Sequence, residues 1–507
     1  MGVRVSTPPT RAVLSALLLV SLWPALAAGQ VPGTMLGLLM SGGADASGVL
    51  PDAFRSALSG DAGLWSACPS TECPVLDLER HHLEPLTARL TAGEGATLDR
   101  MTTARYVHPL RYRAWDVQVG ASLSRAEVST WADGVDGATS LDGSGSILGA
   151  SLRARERDLG LEFLVVGPLW RSEPGLPADR AGWAVRLVPD RRLTLYTSRL
   201  RTESRSLFGS RVVDDHVEFG LNLGQRTWRV GARAEPWRRL ACDLEWIDTV
   251  LDPLADITDA HRYELSPEGA HRGWRGAVSC ALGGGHDVVF RQADLDTDVE
   301  AGAYWGGQKF GWLNYLESSL HSRVLGWRWS PHGPWRLQTE WERSRLDGRG
   351  RAKIESWPFT STVVDLMGLK QIAYGELFLD WDRISCLYTR EGRGASLSLG
   401  GAYCRISPRA TLATWQPAFL VFGRTDYRFR ELDVRRIHLG SLLLRGELQL
   451  GPDGALHLSL QQFLWVDVER SGPVPGGDAD EPQDQDGQVR AGWYGGTYLV
   501  AGLTWRF

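Results

Sequence analysis

Long apolar runs are almost missing from this chain of 507 residues. Only Ala12 to Ala28 approaches the length of a bilayer span, and it stands near the N-terminus. A polytopic helical membrane protein would need several runs of about 20 residues, so that class is excluded. Lysine is nearly absent as well. Lys309, Lys353 and Lys370 are the only ones among 55 basic residues, so arginine carries the positive charge. The net charge of -5 lacks the basic excess of a general nucleic-acid binder. It is also too small, beside 43% hydrophobic residues, for a disordered chain. Catalytic signatures are missing too: there is no G-x-S-x-G, H-E-x-x-H, phosphate loop or CxxCH haem site. No enzyme activity, cofactor or metal is therefore expected.

What is present begins with an export signal. Arg4 and Arg11 precede the apolar run, which ends in Ala25-Leu26-Ala27-Ala28. That order of basic, apolar and small residues reads as a secretory signal peptide over residues 1–29. The mature chain is expected in an oxidising compartment, where Cys68-Pro-Ser-Thr-Glu-Cys73 is expected to close a local disulfide. A metal site from Cys68, Cys73, His81 and His82 is the weaker alternative, because the spacing is not a standard one. Residues 30–104 are expected to be a short periplasmic segment with small helices, Val75 to Leu90 among them.

From about residue 105 to 507 the hydrophobic period is two. Trp115, Val117, Val119, Ala121 and Leu123 alternate with polar or small residues, and so do Trp228, Val230, Ala232 and Ala234. Leu240, Cys242, Leu244 and Trp246 continue the pattern, as do Trp335, Leu337, Thr339 and Trp341. Alternation over about ten residues, repeated this often, predicts strands with one face in lipid and one in water. The fold class is all-β: a transmembrane antiparallel β-barrel of about 16–18 strands. Turns are expected at Gly224-Gln225 and Pro408-Arg409, and long loops at 125–144, 248–270, 343–370 and 470–490. Of 22 tryptophans, several fall at strand ends, including Trp237, Trp246, Trp327, Trp329, Trp341 and Trp381, as interfacial girdles require. The chain ends in an alternating strand in which Leu499, Ala501, Leu503, Trp505 and Phe507 share a face. Gly502, Leu503, Trp505 and Phe507 resemble the insertion signal of bacterial outer-membrane barrels. The implied location is the outer membrane of a Gram-negative bacterium, with its lipid and the barrel-assembly machinery as partners.

If the apolar face meets lipid, the lumen receives Arg153, Arg155, Arg186, Arg229, Arg233, Arg239, Arg275, Arg328, Arg336 and Arg445. It also receives Glu162, Glu218, Asp243, Glu245, Glu340, Glu342, Glu376 and Glu447. Two roles are open: an electrostatic track for anions, or Arg–carboxylate ladders that brace the wall. Cys242 and Cys280 fall on apolar faces as small hydrophobes, and a Cys386–Cys404 pairing is left open.

Three segments resemble the alginate-export family of outer-membrane barrels: Leu193 to Arg201 (LTLYTSRLR), residues 303–316 (AYWGGQKFGWLNYL) and residues 456–470 (LHLSLQQFLWVDVER). The resemblance covers 190–507 in patches. It implies an 18-stranded conduit whose Arg-rich lumen passes a polyanionic polysaccharide, with periplasmic export proteins as further partners. The expected function is thus a conduit for an anionic polysaccharide or anionic solutes. The rival is a plugged barrel serving as a scaffold for periplasmic partners.

Overall fold

The computed structural model describes residues 68, 71–83, 88–91, 93–134, 137–172, 179–212, 215–252, 263–305, 308–331, 333–355, 371–417, 425–432, 436–468 and 492–507. The signal peptide expected over 1–29 lies outside them.

Twenty strands form one sheet. They are β1 (Val75–Leu83), β2 (Ala88–Thr91), β3 (Gly93–Tyr112), β4 (Trp115–Gly134), β5 (Gly137–Glu156), β6 (Leu161–Arg171), β7 (Asp179–Asp190), β8 (Leu193–Val212), β9 (Asp215–Trp237) and β10 (Leu240–Asp252). They continue as β11 (Tyr263–Gly283), β12 (His286–Trp305), β13 (Gln308–Trp329), β14 (Trp335–Glu355), β15 (Gln371–Gly392), β16 (Ala395–Pro417), β17 (Thr425–Leu432), β18 (Arg436–Gln449), β19 (Gly454–Val468) and β20 (Gly492–Arg506). β1 and β2 succeed one another along β3, and β17 and β18 succeed one another along β16. Each pair fills one position, which makes 18 staves among the described residues.

The sheet closes. β1 pairs with β20 on one side and β3 on the other, and the Phe507 amide donates to the Pro74 carbonyl at 3.0 Å where the two ends meet. Closure leaves no edge, so backbone groups are satisfied within the wall, as lipid demands. β10 stops at Asp252, and above its end β9 and β11 meet directly as a short parallel pair, Phe219–Leu221 against 263–265. That junction occupies part of the expected 248–270 loop.

Exposed large apolar residues mark the outer face. They include Val119, Leu152, Phe163, Val230, Leu244, Leu325, Ile384, Leu399, Leu444 and Leu458. Their strand neighbours Gln118, Ser151, Glu162, Glu245, Ser385, Ser398 and Ser441 are buried toward the interior. At the turn end, His286, Trp327 and Trp329 stack outside the wall and Trp335 meets Trp329 edge to face, with ring centroids 4.6–6.3 Å apart. Toward the other end stand Trp183, Trp228, Trp246, Trp341 and Tyr403, all exposed. Two aromatic belts around an apolar band are the exterior of a bacterial outer-membrane barrel, and that membrane is where this chain resides.

The structure corrects several expectations. The barrel starts at Val75, not near residue 105: β1 forms where a helix is expected and pairs along its length with β3 and β20. Gly224 and Pro408 lie inside β9 and β16, so neither is a turn. Strands β4, β5 and β14 run far into the expected loops, reaching Gly134, Gly137 and Glu355. Trp381 is buried in the interior rather than in a girdle.

Candidate functional site

The site follows from the pleat. Alternate residues point inward, so each strand lines the lumen with every second side chain. The inward set is charged, and three groups of it are locked together.

On β5 to β7, Glu162 accepts from Arg153 Nε at 2.7 Å and from Arg186 at 3.3 Å. Arg153 also donates to the Cys68 carbonyl at 3.1 Å, and Gln118 Nε2 donates to the Thr71 carbonyl at 3.4 Å. These bonds seat the segment before β1 against the inner wall. Cys68 is fully buried there, in a cluster with Val107, Leu164, Val166, Ala184 and Leu200. An apolar patch on the lumen face has a purpose only when something covers it.

On β8 to β11, Tyr196 donates to Asp243 at 3.0 Å, and the buried Glu245 pairs with Arg275. Tyr196 lies over Gly231, in space that any side chain at that position would fill.

On β12 to β15, Arg383 pairs with Glu342 at 2.8 Å, and both side chains are buried. Glu342 also accepts from Ser344 at 2.8 Å and from Trp381 Nε1 at 3.0 Å. Arg291 donates to Glu340 at 2.7 Å, and Gln338 to the same oxygen at 3.1 Å. A buried carboxylate needs such partners, because an unpaired one would cost several kcal/mol (~3–5).

The ten arginines placed in the lumen by sequence thus divide. Arg153, Arg186 and Arg275 brace the wall against carboxylates. Arg233 pairs with Glu235 at 3.1 Å, and Arg336 with Glu391 at 2.5 Å, both near the turns. Arg229 and Arg445 are engaged too. Arg239 belongs to the turn between β9 and β10 rather than to the wall. Arg155, Arg239 and Arg328 are exposed and make no ion pair within 4.0 Å among the described residues. All three stand at the turn-side mouth. Arg291 and Arg383 were not in the sequence-derived set. Arg383 is hidden there because its outward neighbour Asp382 is also charged, which erases the alternation.

The cysteines differ from expectation. All six are free thiols. Cys68 turns into the wall, its Sγ 3.8 Å from the Gln118 carbonyl, while Cys73 lies by Thr71. Burial pushes the Cys68 thiol above its ordinary value. Cys386 is exposed outside and Cys404 is buried inside, so the sheet itself separates them. Among the described residues no group of three or more His, Cys, Asp or Glu could hold a metal ion. In the insertion signal, Leu503 and Trp505 share the outward face of β20, while Gly502 faces inward.

No protein-family model matches the chain, and no curated protein does. Solved structures resemble it in architecture. OccK7 (OpdD) of Pseudomonas aeruginosa is 12% identical, with a TM-score of 0.39, covering 85% of this chain and 99% of its own. The outer membrane protein opdK of the same organism is 11% identical, with a TM-score of 0.39, covering 86% and 100%. OccAB2 of Acinetobacter baumannii is 9% identical, with a TM-score of 0.38, covering 86% and 98%. The alginate-export resemblance has no counterpart among these three.

Proposed function

We propose that this barrel is an outer-membrane conduit for small anionic solutes, read first at its turn-side mouth. The observation that supports this is the contrast within the lumen arginines. Those midway along the wall are held by carboxylates, whereas Arg155, Arg239 and Arg328 project into water at the turn end. A guanidinium keeps its charge at any working pH and offers a planar fork to a carboxylate or phosphate. Free guanidinium groups at a mouth raise the local anion concentration and favour anion entry. The braced pairs further in keep the wall neutral and rigid. Export of an anionic polysaccharide would use the same arginines and is the narrower form of this reading.

Reconstitution in planar bilayers tests it. The expected result is a steady, anion-selective conductance. Arg155→Gln with Arg328→Gln should move the reversal potential toward cations in a protein that still folds. An unchanged reversal potential in that double variant would overturn the reading.

One observation favours a second reading, the plugged scaffold. The segment of Cys68 and Thr71 lies on the inner wall and is held there by Arg153 and Gln118. A barrel without steady conductance would support it.

A further inference from the structure

On the outer face of β13 to β16, immediately beyond Leu325, Trp341, Ile384 and Tyr403, the wall turns from apolar to charged. The next outward row reads Arg323, Arg343, Asp382, Arg405 and His438, each directly opposite the next. Arg323 and Arg343 therefore face one another across neighbouring strands. Like charges in a directly opposed pair destabilise a sheet. The two rows further out differ in kind. His321 meets Asp294 at 2.6 Å, Arg345 meets Asp347 at 2.7 Å, and Arg409 meets Asp380 at 3.0 Å. Arg323, Arg343 and Arg405 are exposed, yet among the described residues none forms an ion pair within 4.0 Å, although Asp382 stands between the last two. Asp294 also acts on Arg323 through its charge, and Asp382 lies opposite Arg343, yet the border row holds three guanidinium groups against one carboxylate and keeps a net positive charge.

The depth of that row names what it meets. Arg323 lies six residues from Trp329 and Arg343 eight from Trp335, the two indoles packed edge to face at the turn-side girdle. At about 3.3 Å per residue and a strand tilt near 40°, that is roughly 15–20 Å along the membrane normal. The hydrocarbon band of such barrels is about 25 Å tall. The arginine backbones thus lie roughly 5–10 Å inside the far border of that band, and their long stems carry the charged heads up toward the headgroup layer.

We propose that Arg323 and Arg343 clamp the phosphate of an outer-leaflet phosphoglycolipid headgroup, with Leu325 and Trp341 beneath it against the acyl chains. Two guanidinium groups on adjacent strands suit a bidentate, charge-assisted grip on phosphate oxygens. The bound phosphate adds countercharge to a row that carries three arginines and one aspartate. The proposal rests on the reading of this chain as a membrane barrel, so the test first establishes folding by heat-modifiable migration.

Native mass spectrometry of the detergent-solubilised barrel, mixed with diphosphorylated lipid A, reads the interaction. Wild type should retain the lipid, and Arg323→Gln with Arg343→Gln should lower occupancy about tenfold. Arg345→Gln, on the same face but already paired with Asp347, should leave it unchanged. Lipid A stripped of its phosphates should bind the wild type as weakly as the double variant binds the intact lipid. Excess inorganic phosphate should not displace the lipid, because it has no chains to lay on Leu325 and Trp341. Equal occupancy in wild type and double variant, or equal retention of the dephosphorylated lipid, would overturn the proposal. Displacement by free phosphate would overturn it as a lipid site. A double variant that fails the migration test is replaced by Arg343→Gln alone, read in the same way.

Discussion

The imidazole of His457 lies in the notch left by Gly502, its direct partner on the neighbouring strand. Through that notch it reaches Glu79, 3.4 Å away on β1. Gly502 stands between the two, paired with His457 on one side and Glu79 on the other. The absent side chain lets three strands be tied across the closure seam. Gly502→Val is expected to cost about 1–3 kcal/mol through overpacking. Gly446→Ala, where nothing lies within 4 Å of an added carbon, should be close to neutral. Denaturant unfolding of the two variants in micelles checks this, and equal midpoints would contradict it.

The Arg383–Glu342 pair makes a second prediction. Both partners are buried, and Glu342 holds Trp381 and Ser344 as well. Glu342→Leu alone leaves a buried guanidinium beside Glu340 and should destabilise the barrel by about 3–5 kcal/mol. Arg383→Met with Glu342→Leu removes both charges and should recover much of that loss. A double variant no more stable than the single one would show that the pair does not act as a unit.

Thiol labelling separates the two N-terminal cysteines. Cys68 is fully buried and its thiol is pushed up by burial, whereas Cys73 is half-exposed. A water-soluble maleimide should modify Cys73 promptly in the folded protein without prior reduction, and Cys68 only after unfolding. Mass spectrometry finding the two joined would refute the free-thiol arrangement.

Deletion of Phe507 tests the C-terminal signal. Its side chain is exposed beyond Trp505, and its amide closes the ring onto Pro74. Loss of this residue should lower the amount of heat-modifiable barrel in the outer membrane severalfold. Surface levels equal to wild type would remove Phe507 from the signal.

Glu162 offers a test of what holds the lumen arginines. Its carboxylate bridges Arg153 and Arg186. Glu162→Gln removes the negative charge between the two guanidinium groups, though Arg153 keeps its bond to the Cys68 carbonyl, and should shift the reversal potential further toward anions. No shift in a folded variant would mean that these arginines do not face the permeation path.

The sequence determined the barrel because its physics is local. A strand in lipid must show apolar residues on one face, so Leu240, Cys242, Leu244 and Trp246 declared their direction without any partner. The terminal strand with Trp505 and Phe507 did the same. Where that contrast fades, reading failed. VLDLERHHL of β1 carries charge on successive residues and looked helical, yet closure of the ring requires a strand there. β4, β14 and β16 are longer than the apolar band is tall, and lipid imposes no alternation beyond that band. Which arginines are bound and which stand free was beyond the sequence, because an ion pair is set by cross-strand register. Arg323 against Arg343, Glu342 with Arg383, and Cys386 outside while Cys404 is inside all depend on which residue lies opposite which. Tertiary structure decides that, because a shift of one residue turns every side chain to the other face.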